Sequence, residues 1–480
     1  MFGQIDKIDE MKDKLNDVSP SFCMAKWMHV TMHLLTGHTH SCYLPPTHKI
    51  PLEEIKKDPT ALHNTNHKKQ MRKMMKEGQR PEECGICWGV EDLPGNHYSD
   101  RHYRGVDDWT MPFFEKVKNM NWDENINPTY VEVSFSSACN FKCSYCSPAV
   151  STEWMKEIKR EGSYKLSDLE HQYLPWFEDN GQMPIPEDEN PYLEAFWKWW
   201  PDLIGDLMHF RITGGEPLLS KNTFRVLEWL REHPAPQLNL SINSNLGIPK
   251  SLNQKFIDAM KDIMENDKVR SHILHTSLDA WGAQAEYIRS GLKMDRFMEN
   301  LDAYMTQIPN GSIAFMSTFN NLSVVGYQSF LEQILEMRQK YNNDHREVLL
   351  DIPHLQAPHH QSCQILTPDF IDYMESHIDF MNKYKNEKTG FKDAEIYKMT
   401  RIMEWMKEEK ESEWLETHRK NFYLFFNEHD RRRGTDFLTT FPEMDMYWSY
   451  CKNLALGKTA PPKPLPQKKK GFFRSFFERA

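Results

Sequence analysis

SFSSACNFKCSYCSP, residues 134–148, governs the reading of the whole chain. It sets Cys139, Cys143 and Cys146 in the spacing C-x3-C-x2-C. Three thiols on so short a loop can turn toward one point, and such triplets commonly grip a soft metal centre. Four cysteines would saturate a four-iron cube, whereas three leave one iron open, as an open position marks a catalytic zinc site. Taken alone, the triplet also suits a structural zinc knuckle or an electron-transfer cluster.

Outward from this loop, short apolar runs alternate with longer amphipathic patterns, the sequence form of βα units and a parallel sheet. Strands are expected at residues 131–135, 208–213, 238–243, 273–278, 313–317 and 348–352. Ser220 suits the N-cap of a helix with Phe224, Leu227 and Leu230 on one side, and Phe330, Ile334 and Met337 mark another core-facing helix. In barrel-like α/β folds the chemistry gathers at the carboxyl ends of the strands. Every marked motif falls there. The triplet follows the first strand, and RITGGEP (211–217) closes the second with Gly214, Gly215, Glu216 and Pro217. Asn243 and Ser244 tip the third, and HTSLDA brings Ser277 and Asp279 at the fourth, with Arg289 shortly after in AEYIRSG. Glycines let backbone approach a ligand, Glu216 can accept hydrogen bonds from an ammonium, and Arg289 offers a forked donor matched to a carboxylate.

These motifs together, with the aromatic Tyr145 before the last cysteine, resemble those of radical S-adenosylmethionine (SAM) enzymes. The resemblance covers residues 20–360 and implies an α/β fold with a partial (β/α)6 TIM-type barrel over 125–358. It implies a [4Fe-4S] cluster on Cys139, Cys143 and Cys146, with the SAM amino and carboxylate groups chelating the fourth iron. Reductive cleavage of SAM would then give a 5'-deoxyadenosyl radical that abstracts a substrate hydrogen. Carried over position by position, SAM contacts fall to Tyr145, Gly214, Gly215, Glu216, Pro217, Asn243, Ser244, Ser277 and Arg289. Asp279 is read as fixing a loop. An electron donor such as flavodoxin or ferredoxin is implied as well.

Upstream, CMAKWMHVTMHLLTGHTHSC (23–42) and MRKMMKEGQRPEECGICW (71–88) supply Cys23, Cys42, Cys84 and Cys87, with Gly37 placed to turn a small hairpin. The order C-x13-G-x4-C, a basic helix, then P-x-x-C-x2-C resembles the twitch domain, the half-sized relative of the SPASM domain. That likeness implies a second, auxiliary iron-sulfur cluster on the four cysteines. A structural zinc site on the same residues is the alternative. The segment precedes the core, whereas such domains generally follow it, so its role as electron relay, substrate ligand or staple stays open. The combination resembles twitch-bearing radical SAM proteins of tailed phages. His29, His33, His38, His40, His48, His63 and His67 are read as surface or packing residues, since HVTMH lacks the glutamate of a metalloprotease helix.

The totals fit a soluble globular chain of several domains: 480 residues, 39% hydrophobic and 27% charged. A net charge of -10 argues against a general nucleic-acid-binding surface without excluding a local one. No apolar run reaches membrane-span length and no leader pattern opens the chain, so a cytoplasmic protein is expected, in the host cytoplasm if phage-encoded. Nine cysteines, seven of them grouped, suit a reducing compartment, with Cys363 and Cys451 as ordinary thiols. The expected organisation is a cluster domain over 1–100, the core, a mostly helical region over 359–460, and a basic, aromatic, disordered tail over 461–480. An insertion at 162–200, ending in FWKWW, reads either as a substrate-selecting lid or as surface elaboration. Arg431–Arg433 reads as a solvated charge cluster or a clamp for an acidic or phosphate group. The favoured substrate is a peptide or protein, with a nucleotide, sugar or RNA as the alternative. A non-catalytic iron-sulfur or zinc protein that carries electrons or scaffolds a partner is the competing class.

Overall fold

Nine strands share one sheet in the computed structural model, which describes residues 2–167, 173–386 and 388–458. They are β1 (His29–His33), β2 (His38–His40), β3 (His48–Lys49), β4 (Tyr130–Ser134), β5 (His209–Thr213), β6 (Ala235–Ser244), β7 (Val269–Ser277), β8 (Ser312–Met316) and β9 (Val348–Asp351). The sheet order is β3-β2-β1-β4-β5-β6-β7-β8-β9. From β4 to β9 every neighbour is parallel and consecutive, as repeated βα units dictate. These are the six strands expected from the apolar runs.

Alternation along the strands separates the two faces. Val131, Val133, Phe210, Ile212, Leu240, Ile242, Leu274, Ile313 and Phe315 are buried against helices. Each such side chain contributes roughly 1.5–3 kcal/mol of burial free energy. The intervening positions carry Glu132, Arg211, Asn243 and His275, so the opposite face is polar and partly reached by solvent.

Three further strands extend this sheet at its edge, two of them the small hairpin expected about Gly37. β1 lies parallel to β4, Val30 opposite Val131, and β2 returns antiparallel across a turn in which Gly37 has φ of 70°. Val30 and Met32 face the core, and most of the alternating histidines are buried in packing positions. Strand text written half in histidine lacks the apolar density that announces a strand. Below it a second core gathers Phe22, Trp27, Met28, Trp88, Trp109 and Ile126.

The tryptophan-rich text at 196–200 is neither a lid nor a surface elaboration. It lies in the helix Pro191–Asp206, between β4 and β5, with Phe196, Trp199 and Trp200 fully buried. Phe196 meets Phe135 and Phe210 edge-on and stacked, 5.2 and 6.4 Å between centroids. Asn190 caps this helix by accepting from the amides of Tyr192 and Leu193, and Pro191 suits its first turn.

The region after β9 is helical, as expected, through Ile371–Lys383, Asp393–Met406, Ser412–Arg433 and Asp445–Ala455. Gly434, at φ 65°, ends the Ser412–Arg433 helix in the left-handed conformation. The arginines just before it are not a phosphate clamp. Arg433 is buried against Glu157 at 3.2 Å and donates to the Lys142 carbonyl at 2.8 Å; Arg432 and Arg431 are paired with Glu428. Cys363 and Cys451 are buried free thiols. The tail, 461–480, lies outside the described residues. Among those described, no helix is long and apolar enough to cross a membrane.

Candidate active site and a second cysteine centre

The triplet loop leaves β4 at Ser134 and is clasped from both sides through its backbone. On the β5 side, the Gly215 amide donates to the Ser136 carbonyl at 3.1 Å and the Glu216 amide to the Ala138 carbonyl at 2.7 Å. A Cβ on Gly215 would stand 2.4 Å from that Ala138 oxygen, so the approach requires glycine. On the other side, the Lys142 and Ser144 amides donate to Ser290 and Ile288 at 2.9 and 2.8 Å. Trp154 Nε1 holds the Cys143 carbonyl at 2.6 Å, Thr152 bonds both backbone groups of Cys139, and Gln361 bonds Ser144 twice.

Burial, then the neighbouring thiols, raises the pKa of Cys139, and the same causes push Cys146 up to about 12. Such thiols stay protonated until a metal displaces the protons. Arg289 Nε donates to Asp279 at 2.9 Å and Nη1 approaches the Cys143 sulfur at 3.5 Å. Tyr145 donates to Asp279 at 2.7 Å and also bonds Arg289. Burial opposes the Arg289 charge, but Asp279, Tyr145 and Cys143 together raise its pKa above the usual value. Asp279 also accepts from the Thr318 amide at 2.8 Å, tying β7 to β8. The guanidinium is therefore anchored to Asp279 and directed at the cysteine loop.

Across the loop, Glu216 is buried and accepts from the Asn245 amide at 2.6 Å and the Leu218 amide at 3.1 Å. Burial lifts its pKa to about 7 despite these bonds and one from Ser244. Gly214 (φ 130°) and buried Pro217 flank it, and Ser277 ends β7 opposite Met316. Asn243 takes a different direction. Its Oδ1 accepts from Arg211 Nε at 3.1 Å, on the polar face of the sheet. Sequence reasoning missed Asn245, which donates to Asn140 of the triplet loop at 2.9 Å, and Gln361, which no motif marks. Asn245 stood in the same polar strand tip as Asn243, so a signal for it was present.

Cys23, Cys42, Cys84 and Cys87 line one cavity with Lys26 and Arg101. Burial, then the other three cysteines, raises the Cys23 thiol, and burial pushes Cys42 to about 12. Cys23 precedes the amino end of β1. Cys42 follows β2, whose His40 lies opposite Thr31, so it returns to that same end. Tyr130 and Met208, at the amino ends of β4 and β5, pack on the core that holds Cys23 and Cys84. The two cysteine groups thus sit at opposite ends of the sheet. Among the described residues, no three His, Cys, Asp or Glu stand as they would around one metal ion.

A parallel sheet with a three-cysteine loop, a Gly-Gly-Glu turn and polar strand tips at one end is the arrangement known from radical SAM proteins. Over 130 residues the chain is 26% identical to the GTP 3',8-cyclase of Sulfurimonas denitrificans (strain ATCC 33889 / DSM 1251), which covers 27% of this chain and 31% of that protein. The chain spans less than a third of that relative's length. No family model matches the chain.

Proposed function

We propose that the chain is a radical SAM enzyme with its reaction centre at the carboxyl ends of β4 to β7. The observation that carries this reading is the clasp of the Gly215 and Glu216 amides on the triplet loop, which ties the Gly-Gly-Glu turn to the residue just before Cys139. Cys139, Cys143 and Cys146 would hold a [4Fe-4S] cluster. When bound, that cluster and SAM supply reductive cleavage to a 5'-deoxyadenosyl radical and hydrogen abstraction from the substrate.

The chain's own residues bind and orient. Glu216, accepting from two amides, is a ready partner for the SAM ammonium, and the Gly214–Gly215 backbone leaves room for it. Ser244 and Ser277 offer hydroxyls to the ribose or carboxylate. Tyr145, Asp279 and Arg289 form a buried charged unit against the Cys143 sulfur and hold the loop in register. Cys23, Cys42, Cys84 and Cys87 would hold an auxiliary metal centre, iron-sulfur or zinc. Its place at the far end of the sheet favours an electron relay or staple over a substrate ligand.

Twitch-like companions favour a peptide or protein as substrate. One observation favours a second reading, an anionic small molecule such as a nucleotide: Arg211 stands on the polar sheet face, 22% exposed and only loosely paired with Glu132 at 3.8 Å. The relative named above is a cyclase of GTP.

Anaerobic reconstitution followed by reduction with SAM should release 5'-deoxyadenosine, and a Cys143→Ala variant should release none. A fully assembled cluster that yields no 5'-deoxyadenosine with any candidate substrate would overturn the reading. A reduced electron donor, flavodoxin or ferredoxin, should replace the chemical reductant.

A further inference from the structure

The helix Asn66–Lys76 turns the wrong kind of face inward. Its buried positions are Lys68, Arg72 and Met75, and the lysine and arginine are 1% and 0% exposed. Lys68 Nζ donates to Thr39 Oγ1 at 3.1 Å and the His40 carbonyl at 3.3 Å, two residues before Cys42. Arg72 donates to the Lys26 carbonyl at 3.1 Å and to Asn64 at 3.0 Å, with His63 at 2.9 Å. Among the described residues neither cation pairs with a carboxylate. Lys26, 2% exposed, pairs with Glu83 and also bonds the Cys84 thiol. Of these three buried side chains only Lys26 therefore has a carboxylate partner, and that carboxylate also bonds His67 at 2.7 Å.

Buried charges are tolerated when they are paired, and neutral hydrogen-bond acceptors alone do not compensate them. The missing negative charge is next door. Four neutral thiols supply none, but four thiolates around a divalent metal, or around a four-iron cube of charge +2, leave a net charge of -2. We infer that Lys26 and Lys68 are the built-in counter-charge of a doubly negative tetrathiolate centre on Cys23, Cys42, Cys84 and Cys87, an inference that rests on the reading of those four as metal ligands. The cations hold the centre in place, and they favour the more negative, reduced state of any cluster bound there.

The test uses the full chain carrying Cys139→Ala, Cys143→Ala and Cys146→Ala, so that only the N-terminal centre takes metal, loaded anaerobically with ferrous iron and sulfide. Lys68→Met should act in opposite directions in the two states. The metal-free variant should melt above its metal-free parent, because a buried amine that burial and the neighbouring Arg72 and Lys26 disfavour as a cation has gone. The loaded variant should melt below its loaded parent, lose iron to a chelator about tenfold faster, and show a lower midpoint potential. Lys68→Arg should behave as the parent, and Lys26→Met should repeat the loss of iron. Equal iron retention in Lys68→Met and parent, or a melting shift of the same sign with and without metal, would overturn the counter-charge and leave the metal centre standing. If the parent takes up no iron through these cysteines, the reading beneath falls first.

Discussion

At the scale of single residues, the group with the most consequential environment is Glu216. Burial holds its carboxyl near pH 7, against 4.5 in an open chain, with two amides and Ser244 pulling the other way. The folded state therefore binds this proton more tightly than the unfolded state. Its contribution to stability is complete below about pH 4.5 and is lost as pH rises through 7, on the order of 3 kcal/mol in all. Melting curves of the unliganded protein and Glu216→Gln, taken between pH 4.5 and 8, should diverge in favour of the variant as pH rises. A difference that stays constant with pH refutes the assignment. A ligand ammonium would supply the countercharge the site lacks, so SAM should flatten the divergence. Glu216 was legible in the sequence because its motif is contiguous. Gln361 was not, because its bond to Ser144 spans 217 residues and nothing local requires it.

At the scale of elements, the cysteine loop is held from two sides, one of them a helix that looked peripheral in the sequence. The Ser412–Arg433 helix reaches it through Arg433, whose guanidinium bonds the Lys142 carbonyl and shares Glu157 with the Lys142 ammonium. A run of three arginines reads as solvated by composition. Only the left-handed stop at Gly434 and the packing of Arg433 over Trp154, 4.8 Å to the ring centroid, turn one of them inward. Arg433→Met should leave Glu157 with the Lys142 ammonium and the Tyr164 hydroxyl alone and should destabilise the fold by about 1–3 kcal/mol, read as a lower denaturation midpoint. The β5 turn holds the loop from the other side. Gly215→Ala drives a Cβ to 2.4 Å from a backbone oxygen. Iron bound through the triplet should then fall well below the parent level while iron at the N-terminal cysteines is retained. Equal loss at both centres would mean that the glycine serves the fold as a whole and not the loop. The six parallel strands were legible because Val, Ile, Leu and Phe dominate them. β1 and β2 were legible as a hairpin about Gly37 but not as part of that sheet, since their alternation is carried by histidine and threonine.

At the scale of the molecule, one sheet separates two cysteine groups, and the separation bears on what the second can do. β1 runs parallel to β4, so the approach of Cys23 to β1 and the departure of Cys139 from β4 lie at opposite ends of paired strands. Five residues at ~3.3 Å each put on the order of 15 Å between those ends. A group chelated at the triplet therefore cannot also ligate a metal at the N-terminal set. The spectroscopic consequence is specific. In reduced, reconstituted protein, SAM should change the paramagnetic resonance spectrum of the triplet cluster. In a Cys139→Ala, Cys143→Ala, Cys146→Ala chain it should leave the remaining signal unaltered. Were SAM to shift that remaining signal, the N-terminal centre would have to face the ligand, and the order of strands across the sheet would have to be wrong.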